Sequence, residues 1–424
     1  EHAEVKVIFV SRLLAKCLEG VKTPFLEHKI LINNFATMPE GCYQPEDLDK
    51  LVPDINLNNT PPLPEVSIEE EDIASIIYTS GTTGFSKGVV LTHKNLVWDA
   101  RQCRTIQPVD ETYRFLSILP MAHTYENTLG LLLPLMFGAQ VYYLDRVPTP
   151  KLLVPAMQKI RPTVVLSVPL IIEKIYKSQV LPKFTSSKLM SKLYQFAPAR
   201  KLFNRLAGKK LMETFGGELK FFGIGGSKLD GTVEQFLREA KFPYAIGYGL
   251  TETAPMAAGS NPSQTFLQGV GPVMEGVQIK INDPDKSGQG EIWIKGPNVM
   301  KGYYKRPELT AETFTEDGWF KTGDLGSFDK KNRLAIRGRI KTMILGASGE
   351  NIYPEEIESI INNFRFVNES LVVENSGKLV AMVHFNMEEL EKQYQKLKDQ
   401  AGNYKEKIND YIEEQKQELR DYVN

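Results

Sequence analysis

Cysteine and histidine are scarce in this chain, and their scarcity argues against several classes of protein. The three cysteines, Cys17, Cys42 and Cys103, are widely separated and form no CxxC pair. This usage favours a reducing, cytoplasmic location over a disulfide scaffold. The five histidines form no HExxH or comparable cluster, which argues against a protein-bound zinc site.

Long apolar runs and a signal-peptide pattern are also lacking. The longest uncharged run, residues 127–144, is interrupted by Pro134 and Gly138, so a buried helix followed by a strand explains it better than a membrane span. The first residues lack a basic start and an apolar stretch, and they lack an initiator Met, so we expect the natural start to lie upstream. Peripheral contact with a membrane stays open.

An excess of charge of one sign is missing as well. Lys plus Arg number 51 and Asp plus Glu number 52, giving a net charge of −1. This balance gives no general attraction to nucleic acid, so we expect no nucleic-acid partner. The 424 residues, 42% of them apolar, suffice for two or three domains with a large core.

Strand and helix patterns alternate from about residue 73 to residue 260, which predicts parallel strands with crossover helices. The strand candidates are residues 73–78, 118–119, 164–168, 219–224 and 244–246. From 269 to 337, short strands separated by turns predict a small antiparallel, barrel-like part. Beyond 338 we expect a helix at 354–361, two strands at 370–373 and 379–384, and a mostly helical stretch at 387–422.

The most informative segment, residues 78–88, places hydroxyl residues, glycines and one lysine between two apolar strands. Glycines let successive backbone N–H groups approach an anion, and Lys87 supplies positive charge, as a triphosphate requires. The segment is not a Walker A motif, because Lys87 lies between Ser86 and Gly88. A flexible polar turn without ligand is the alternative. Thr92 is expected to cap the following helix.

Further polar turns follow strand candidates. Glu252, beside Thr251, has the chemistry to hold Mg²⁺ against a phosphate, although an acid in a first helical turn explains it too. Asp324 follows a tight turn at the end of the segment 319–324. Arg339 lies in the basic run 337–341, and one half of a surface ion pair is its ordinary interpretation. His123 is a lone histidine, which is more often a packed, hydrogen-bonded residue than a catalyst.

Together, in their order along the chain, these motifs resemble the adenylate-forming enzymes, and most of all bacterial long-chain fatty acid–CoA ligases. The resemblance implies an α/β fold: a large N-terminal domain at 1–338, mostly of parallel sheets with helices plus the antiparallel part, and a small α+β C-terminal domain at 339–424. It also implies an ATP-dependent ligase that forms acyl-AMP and pyrophosphate, then acyl-CoA and AMP, from a fatty acid, ATP and coenzyme A with Mg²⁺.

The resemblance also implies roles for individual residues. The catalytic group is Lys87, Thr251 and Glu252, with Glu252 as metal ligand. The ATP phosphates would be held by Thr79, Ser80, Gly81, Thr82, Thr83, Gly84 and Lys87. AMP would be bound by Gly225, Gly226, Ser227, Gly247, Tyr248, Gly249, Thr251, Asp324 and Arg339. Within this set, the resemblance implies that Tyr248 stacks on adenine and that Asp324 and Arg339 contact the ribose. The acyl pocket would include His123 and Gly226, the hinge Lys341, and the coenzyme A channel Gly349, Glu350 and Asn351.

One departure from the family pattern concerns a lysine near the C-terminus that contacts the α-phosphate during adenylation. The stretch here with Lys396, Lys398, Lys405 and Lys407 does not match that basic Gly-Lys or Gln-Lys segment. We therefore expect a partial chain in which adenylation is weaker by about 10²–10³-fold. Two alternatives stay open: an enzyme that loads a carrier-protein thiol, and a non-catalytic nucleotide-binding member of the fold. The sequence does not distinguish a monomer from a homodimer.

Overall fold

The fold is taken from a computed structural model of the chain. It describes residues 2–21, 23–33, 35–39, 41–51, 65–79, 86–146, 148–185, 187–345, 351–362, 364, 366–375, 378–387, 390–391, 413 and 416–417. Of the predicted helical stretch at 387–422, only a few residues fall within these ranges. No helix within them combines the length and the apolar character needed to cross a membrane.

The strands of the described residues are β1 (Val7–Val10), β2 (His28–Leu31), β3 (Ile73–Thr79), β4 (Lys87–Thr92), β5 (Arg114–Ser117), β6 (Gln140–Tyr143), β7 (Val164–Ser167), β8 (Phe221–Ile224), β9 (Tyr244–Gly249), β10 (Met256–Gly259), β11 (Gln278–Asn282), β12 (Gly290–Lys295), β13 (Gly302–Tyr303), β14 (Phe320–Phe328), β15 (Leu334–Arg339), β16 (Ile344–Leu345), β17 (Asn351–Ile352), β18 (Val367–Asn375) and β19 (Lys378–Phe385).

The α-helices of the same residues are α1 (Pro45–Leu48), α2 (His93–Ile106), α3 (Leu133–Met136), α4 (Pro150–Ile160), α5 (Pro169–Ile175), α6 (Leu181–Thr185), α7 (Lys188–Gln195), α8 (Ala197–Thr214), α9 (Gly231–Ala240), α10 (Pro307–Thr313) and α11 (Pro354–Asn362). Short 3₁₀ segments lie at Ala15–Leu18 and Thr251–Thr253, and π-helical segments at Glu126–Leu132 and Tyr176–Val180.

The largest sheet has the strand order β10-β9-β8-β7-β5-β6. Its strands from β6 to β9 pair in parallel, as the alternating pattern predicts, and β10 adds an antiparallel edge. Strand β7 is buried on both faces, because Val164 and Leu166 belong to one apolar core and Val165 to another. Burial on both faces explains why this strand reads as a continuous apolar run.

The glycine- and threonine-rich segment joins β3 and β4, which pair antiparallel and are extended by β13 into a second sheet. Thr79 and Lys87 are register partners at the loop end of this hairpin, where the connecting segment leaves and rejoins the sheet. Helix α2 follows β4 at once, and the prediction for its cap is confirmed. The Thr92 side chain accepts from the backbone N–H of Asn95, and the Asn95 side chain accepts from that of Thr92.

The predicted antiparallel part is a sheet with the order β11-β12-β14-β15. Beyond it, α11 packs on the β18–β19 hairpin through Ile361, Val367 and Val372, close to the helix and strands expected there. Strand β15 contains Gly338 and Arg339, on either side of the expected domain boundary. The boundary itself stays a prediction.

The strand predicted at 118–119 is wrong, because the strand lies just before it, at β5. Arg114 opens β5, and its guanidinium donates to the carbonyl oxygens of Ile160 and Arg161, so a polar residue hides the start of the strand. Ile118 and Leu119 are apolar for another reason. Ile118 is buried, and Leu119 lines a large cavity beyond the end of the strand.

Candidate active site

A cavity of about 960 Å³ lies where the parallel strands β5, β7, β8 and β9 end. Its wall includes Val168 after β7, Gly225 after β8 and Leu250 after β9. A smaller cavity of about 250 Å³ adjoins it, and both are lined by Gly226, Tyr248 and Arg339. In open α/β sheets, ligands bind at the carboxyl ends of the strands, so this is the position expected for a substrate site.

At one end of the cavity, Lys87, Glu252 and Tyr303 form a compact polar cluster. The Lys87 Nζ lies 3.1 Å from the Glu252 Oε1 and donates to the Tyr303 hydroxyl at 2.7 Å. That hydroxyl in turn donates to the same Glu252 oxygen at 2.8 Å. The Lys87 Nζ also lies 4.4 Å from the centre of the Tyr303 ring, a cation–π distance.

Different elements bring this cluster together: Lys87 begins β4, Glu252 lies in the 3₁₀ turn after β9, and Tyr303 ends β13. The pairing of β13 with β4 places Tyr303 opposite Val89, two residues beyond Lys87. Glu252 is held from behind, because the backbone N–H of Met300 donates to its carbonyl oxygen at 2.9 Å. The predicted site residues Lys87 and Glu252 therefore do meet.

Tyr303 is a site residue that sequence reasoning misses. Burial, reinforced by the Glu252 carboxylate, raises the pKa of Tyr303, so its hydroxyl stays protonated and donates a hydrogen bond. Nothing in the local sequence marks it, since Gly302-Tyr303-Tyr304 reads as an ordinary aromatic strand end. Only the pairing of β13 beside β4 would have identified it.

The phosphate-binding segment is described only at its two ends, because Ser80, Gly81, Thr82, Thr83 and Gly84 lie outside the described residues. At the first end, Thr79 lines the cavity, and its buried Oγ1 has no hydrogen-bond partner among the described residues. A buried hydroxyl without a partner is uncommon in a folded protein. It fits a position where a ligand oxygen accepts the missing hydrogen bond.

The donor set around Glu252 fits a magnesium ion that is shared with a phosphate. Both contacts to this carboxylate fall on Oε1, and Oε2 accepts no hydrogen bond from any described residue. The described residues contain no group of three or more His, Cys, Asp and Glu side chains suited to a metal. Mg²⁺ is commonly held by one or two carboxylates together with substrate phosphates and water, and such a site needs no larger cluster.

A second polar cluster joins Asp324, Arg339 and Tyr248. Asp324 and Arg339 are register partners on β14 and β15, and the Arg339 Nε lies 3.0 Å from the Asp324 Oδ1. The Tyr248 hydroxyl donates to the other oxygen, Oδ2, at 2.8 Å. Burial raises the pKa of Asp324, while Arg339 and the Tyr248 hydrogen bond act in the opposite direction. The two predicted ribose contacts are thus adjacent, and Tyr248 contacts the same carboxylate.

Glycines shape the wall between these clusters. Gly226 has a φ of +90°, a backbone conformation that residues with side chains rarely adopt, and it lies with Gly225 and Ser227 in the turn after β8. A Cβ at Gly249 would lie 1.7 Å from the Pro255 carbonyl oxygen, so only glycine fits the end of β9. Gly247 and Thr251 also line the large cavity. The predicted nucleotide-binding glycines therefore share one wall.

The structure describes only some of the remaining predicted site residues. His123 is exposed on the cavity wall in the segment after β5, and Lys341, after β15, lines the same cavity. Gly349 and Glu350 lie outside the described residues, and Asn351 is described only as the backbone start of β17. The structure brings His123 and Lys341 to the site and leaves the coenzyme A residues as predictions.

Glu126 is a second residue that sequence reasoning misses. It is buried behind the cavity wall, where Ser117 donates to its Oε1, and its Oε2 has no hydrogen-bond partner among the described residues. Burial raises the pKa of Glu126 to about 7. It begins the π-helical segment Glu126–Leu132, a distortion often found near functional sites.

A parallel sheet with a polar cavity at its strand ends is typical of nucleotide-binding α/β proteins. A model of the family described as AMP-binding enzyme matches residues 1–304, so the chain belongs to that family. The family expected from the sequence motifs is confirmed.

Relatives with assigned names cover much of the chain. It is 33% identical over 340 residues to long chain acyl-CoA synthetase 6, peroxisomal, of Arabidopsis thaliana (74% of this chain, 48% of that protein). It is 32% identical over 338 residues to long-chain-fatty-acid–CoA ligase 1 of Saccharomyces cerevisiae (73% and 47%). It is 30% identical over 389 residues to the Arabidopsis long-chain-fatty-acid–[acyl-carrier-protein] ligase AEE15, chloroplastic (77% and 52%). The chain spans about half the length of these relatives.

Solved structures confirm the fold class. ATP-bound MatB from Rhodopseudomonas palustris matches with a TM-score of 0.68 and 24% identity, over 90% of this chain and 69% of that chain. The o-succinylbenzoate coenzyme A synthetase MenE of Bacillus subtilis, in complex with ATP and magnesium ion, matches with a TM-score of 0.62 and 24% identity, over 84% and 65%. The chain thus has the α/β fold of adenylate-forming enzymes.

Proposed function

We propose that this chain carries the nucleotide and acyl sites of an ATP-dependent, AMP-forming acid–thiol ligase that acts on long-chain fatty acids. The observation that carries the proposal is the placement of two carboxylate clusters on adjoining cavities at the strand ends. One, Lys87 with Glu252, has the charges that a magnesium-bound phosphate needs. The other, Asp324 with Arg339, has the acceptor and donor groups that suit a ribose.

In the first half-reaction, the fatty acid carboxylate attacks the α-phosphorus of ATP, acyl-AMP forms and pyrophosphate leaves. The chain's residues position the reactants and neutralise charge, as in other phosphoryl transfers. Lys87 and the Thr79 hydroxyl hold the outgoing phosphates, together with the segment 80–84. Glu252 would hold Mg²⁺ through Oε2, and the ion supplies further neutralisation of phosphate charge. Thr251 contacts the α-phosphate region.

We assign nucleotide recognition to the residues of the cavity wall that lie between the Glu252 and Asp324 clusters. Asp324 accepts hydrogen bonds from the ribose hydroxyls and Arg339 supports it, while the Gly225-Gly226-Ser227 turn and the strand end Gly247-Tyr248-Gly249 enclose the base. The ring of Tyr248 is the surface on which adenine stacks. Its hydroxyl contact with Asp324 supports this arrangement, because that contact fixes the ring beside the ribose site.

The acyl group occupies the apolar part of the large cavity. Apolar side chains such as Leu119, Leu129 and Met256 line it, and His123 and Gly226 belong to the same cavity wall. An apolar wall with a few polar groups is the usual design for an amphipathic small molecule. The names of the relatives, which specify long-chain fatty acids, support the same substrate class.

In the second half-reaction, the thiol of coenzyme A attacks the acyl-adenylate and AMP leaves. We assign residues 1–338 and 339–424 to two domains that rotate about Lys341, which brings Gly349, Glu350 and Asn351 to the thiol channel. Coenzyme A is favoured as acceptor, because the names of several relatives include it. One relative is named as a carrier-protein ligase, so a carrier-protein thiol is the other acceptor to be tested. A cytoplasmic location fits the sparse cysteines.

The test is pyrophosphate exchange into ATP by the full-length gene product, with hexadecanoate as the carboxylate. We expect exchange that requires both Mg²⁺ and the fatty acid, and release of AMP only when a thiol is added. Free coenzyme A and a phosphopantetheinylated carrier protein are supplied in separate reactions to identify the acceptor. Tight ATP binding without exchange, for carboxylates of any chain length, would contradict the ligase proposal in favour of a non-catalytic nucleotide-binding protein.

A further inference from the structure

Helices α7 and α8 and the residue between them expose large apolar side chains to solvent. The exposed fractions are 70% for Leu189, 64% for Phe196, and 57% each for Leu202 and Leu206. Leu193, one helical turn after Leu189, is 39% exposed. Scattered apolar residues are normal on a protein surface, but four on two consecutive helices and a fifth, Phe196, at their junction form a feature that calls for an explanation. We refer to the exposed residues of 188–210 as the α7–α8 surface.

The same stretch is strongly basic. Residues 181–212 contain eight Lys and Arg and no Asp or Glu, in a chain whose net charge is −1. On α8, Lys201, Arg205 and Lys209 are spaced four residues apart and all are exposed, as is Lys210. None of these four forms an ion pair with a described residue. The positive charge therefore faces solvent beside Leu202 and Leu206.

Other faces of α8 attach it to the protein. Arg200 is turned inward, where its Nη2 lies 2.9 Å from Glu239 of α9. Asn204 is buried and accepts from the Tyr194 hydroxyl of α7 at 2.8 Å. A Cβ at Gly208 would lie 2.6 Å from the Ala240 carbonyl oxygen, so α8 and α9 are in close backbone contact. Because these contacts fix the orientation of α8, its exposed apolar and basic residues are a property of the folded chain.

We propose that the α7–α8 surface docks the protein on an anionic lipid membrane. Leu and Phe interleaved with Lys and Arg are the composition of interfacial helices, whose apolar side chains enter the headgroup layer while the cations meet lipid phosphates. Lysine is depleted from protein–protein interfaces, which makes a protein partner a poorer match. Nucleic acid would use the cations but not the leucines, because its affinity comes mainly from phosphate contacts.

Docking of this kind goes beyond the proposed ligase activity and does not depend on it. It would place the protein at the surface where long-chain fatty acids partition, since their apolar tails favour lipid over water. The charge complementarity lies within one segment, which explains why the balanced charge of the whole chain does not reveal it.

The test is co-sedimentation of the full chain with vesicles of phosphatidylcholine and phosphatidylglycerol in a 7:3 ratio, compared with pure phosphatidylcholine, in low salt and without nucleotide. We expect binding to the anionic vesicles, weaker binding to the neutral ones, and a loss of binding as salt rises. Binding to neither vesicle, or equal binding to both, overturns the proposal.

Two variants separate the electrostatic part from the apolar part. The charge reversal Lys201→Glu/Arg205→Glu/Lys209→Glu should lower the partition coefficient by at least about tenfold. The variant Leu202→Ser/Leu206→Ser keeps every charge and should also lower it several-fold. Circular dichroism and thermal unfolding verify that both variants fold. Unchanged vesicle binding by either folded variant overturns the proposal.

Matched controls lie outside residues 188–210. Lys286→Glu/Lys330→Glu/Lys331→Glu reverses three exposed lysines in the turns of the β11-β12-β14-β15 sheet. Leu371→Ser/Met382→Ser removes two apolar residues of the β18–β19 hairpin that are 51% and 54% exposed. Both controls should bind vesicles as the parent does. Equal loss in a control and its matched variant would show that total charge or total apolar area decides binding, against a specific surface. If the parent bound heparin but not vesicles, and the leucine variant bound heparin equally well, the result would indicate a polyanion partner instead.

Discussion

The two polar clusters of the candidate site have the same composition but a different arrangement. Each has a buried carboxylate, a cation and a tyrosine hydroxyl: Glu252 with Lys87 and Tyr303, and Asp324 with Arg339 and Tyr248. In the first, both contacts from described residues fall on Oε1, and no described residue donates to Oε2. In the second, each contact takes a separate oxygen. Among the described residues, the first carboxylate thus keeps one oxygen for a further ligand, and the second is contacted at both.

Their exposure differs as well. The side chain of Lys87 is 30% exposed and that of Arg339 is 56% exposed, while both carboxylates are almost fully buried. Water reaches Arg339 more readily than Lys87, but the buried Asp324 carboxylate still depends on its cation, because a buried charge without a partner is costly. Lys87 is held by two partners, Glu252 and Tyr303.

The largest effect is expected from a substitution that disrupts the first cluster. Glu252→Gln is nearly isosteric and keeps the contact with Tyr303, but it removes the charge that would hold a metal. We expect pyrophosphate exchange to fall by about 10²–10³-fold, because a preorganised charge at the reacting phosphate is lost. Glu312→Gln is the control, since it neutralises an exposed carboxylate on the same cavity wall. Exchange by Glu252→Gln equal to that of the control would mean that Glu252 is not the metal ligand.

The next largest effect is expected from a substitution in the second cluster. Asp324→Asn weakens the hydrogen bonds that the ribose hydroxyls would donate, and we expect the KM for ATP to rise by about tenfold or more with a smaller change in kcat. Discrimination between ATP and its 2′- or 3′-deoxy analogues should shrink in parallel. A variant that keeps the full discrimination would place the ribose elsewhere.

A smaller effect sharpens the comparison between the two tyrosines. Tyr303→Phe removes one hydrogen bond to Glu252 and one from Lys87, so we expect a loss of about three- to tenfold in exchange rate and a higher Mg²⁺ requirement. Tyr248→Phe should instead raise the KM for ATP without changing the Mg²⁺ requirement. The neighbouring Tyr304→Phe serves as control for loss of a hydroxyl at β13. Identical Mg²⁺ titrations for Tyr303→Phe and this control would contradict the positioning role.

The last prediction concerns stability, with the smallest expected effect on catalysis. Glu126 is a buried carboxylate that accepts from a serine hydroxyl, whereas the other two carboxylates have cations as partners. Its pKa of about 7 in the folded chain exceeds the ordinary value of 4.5, so the folded state binds more protons than the unfolded state between these pH values. Stability should therefore fall as pH rises from about 4.5 to about 7, by at most about 1.4 kcal/mol per pH unit from this group.

Glu126→Gln isolates that contribution. The variant keeps an acceptor for Ser117 and cannot ionise, so the difference in unfolding free energy between variant and parent should grow in favour of the variant as pH rises toward 7. Denaturant unfolding at several pH values measures it. A difference that stays constant from pH 4.5 to pH 8 would show that Glu126 does not titrate in this range.

Among the predicted site residues, Asp324 and Arg339 could be selected only through the family resemblance, and their roles stay predictions. Lys87 and Glu252 could be selected from the residues themselves, because each stands in a turn or strand end whose chemistry shows in neighbouring residues. The parallel strands and the cap at Thr92 were predictable for the same reason, since both depend on patterns within a few residues. The strand at β5 was misplaced by a few residues, because Arg114 obscures its start and apolar cavity residues follow its end.

What the sequence by itself determined is the family, which the order of its motifs indicates and the family model confirms. The anion-binding turn, the metal carboxylate and the ribose carboxylate stay its predictions. What only the tertiary structure decided is which described groups contact those carboxylates and which side chains face solvent. Pairing of β13 with β4 brings Tyr303 onto Glu252 and concentrates its contacts on one oxygen, and the packing of α8 on α9 turns its leucines and lysines outward. Both outcomes depend on contacts between segments far apart in the chain, and no local pattern encodes them.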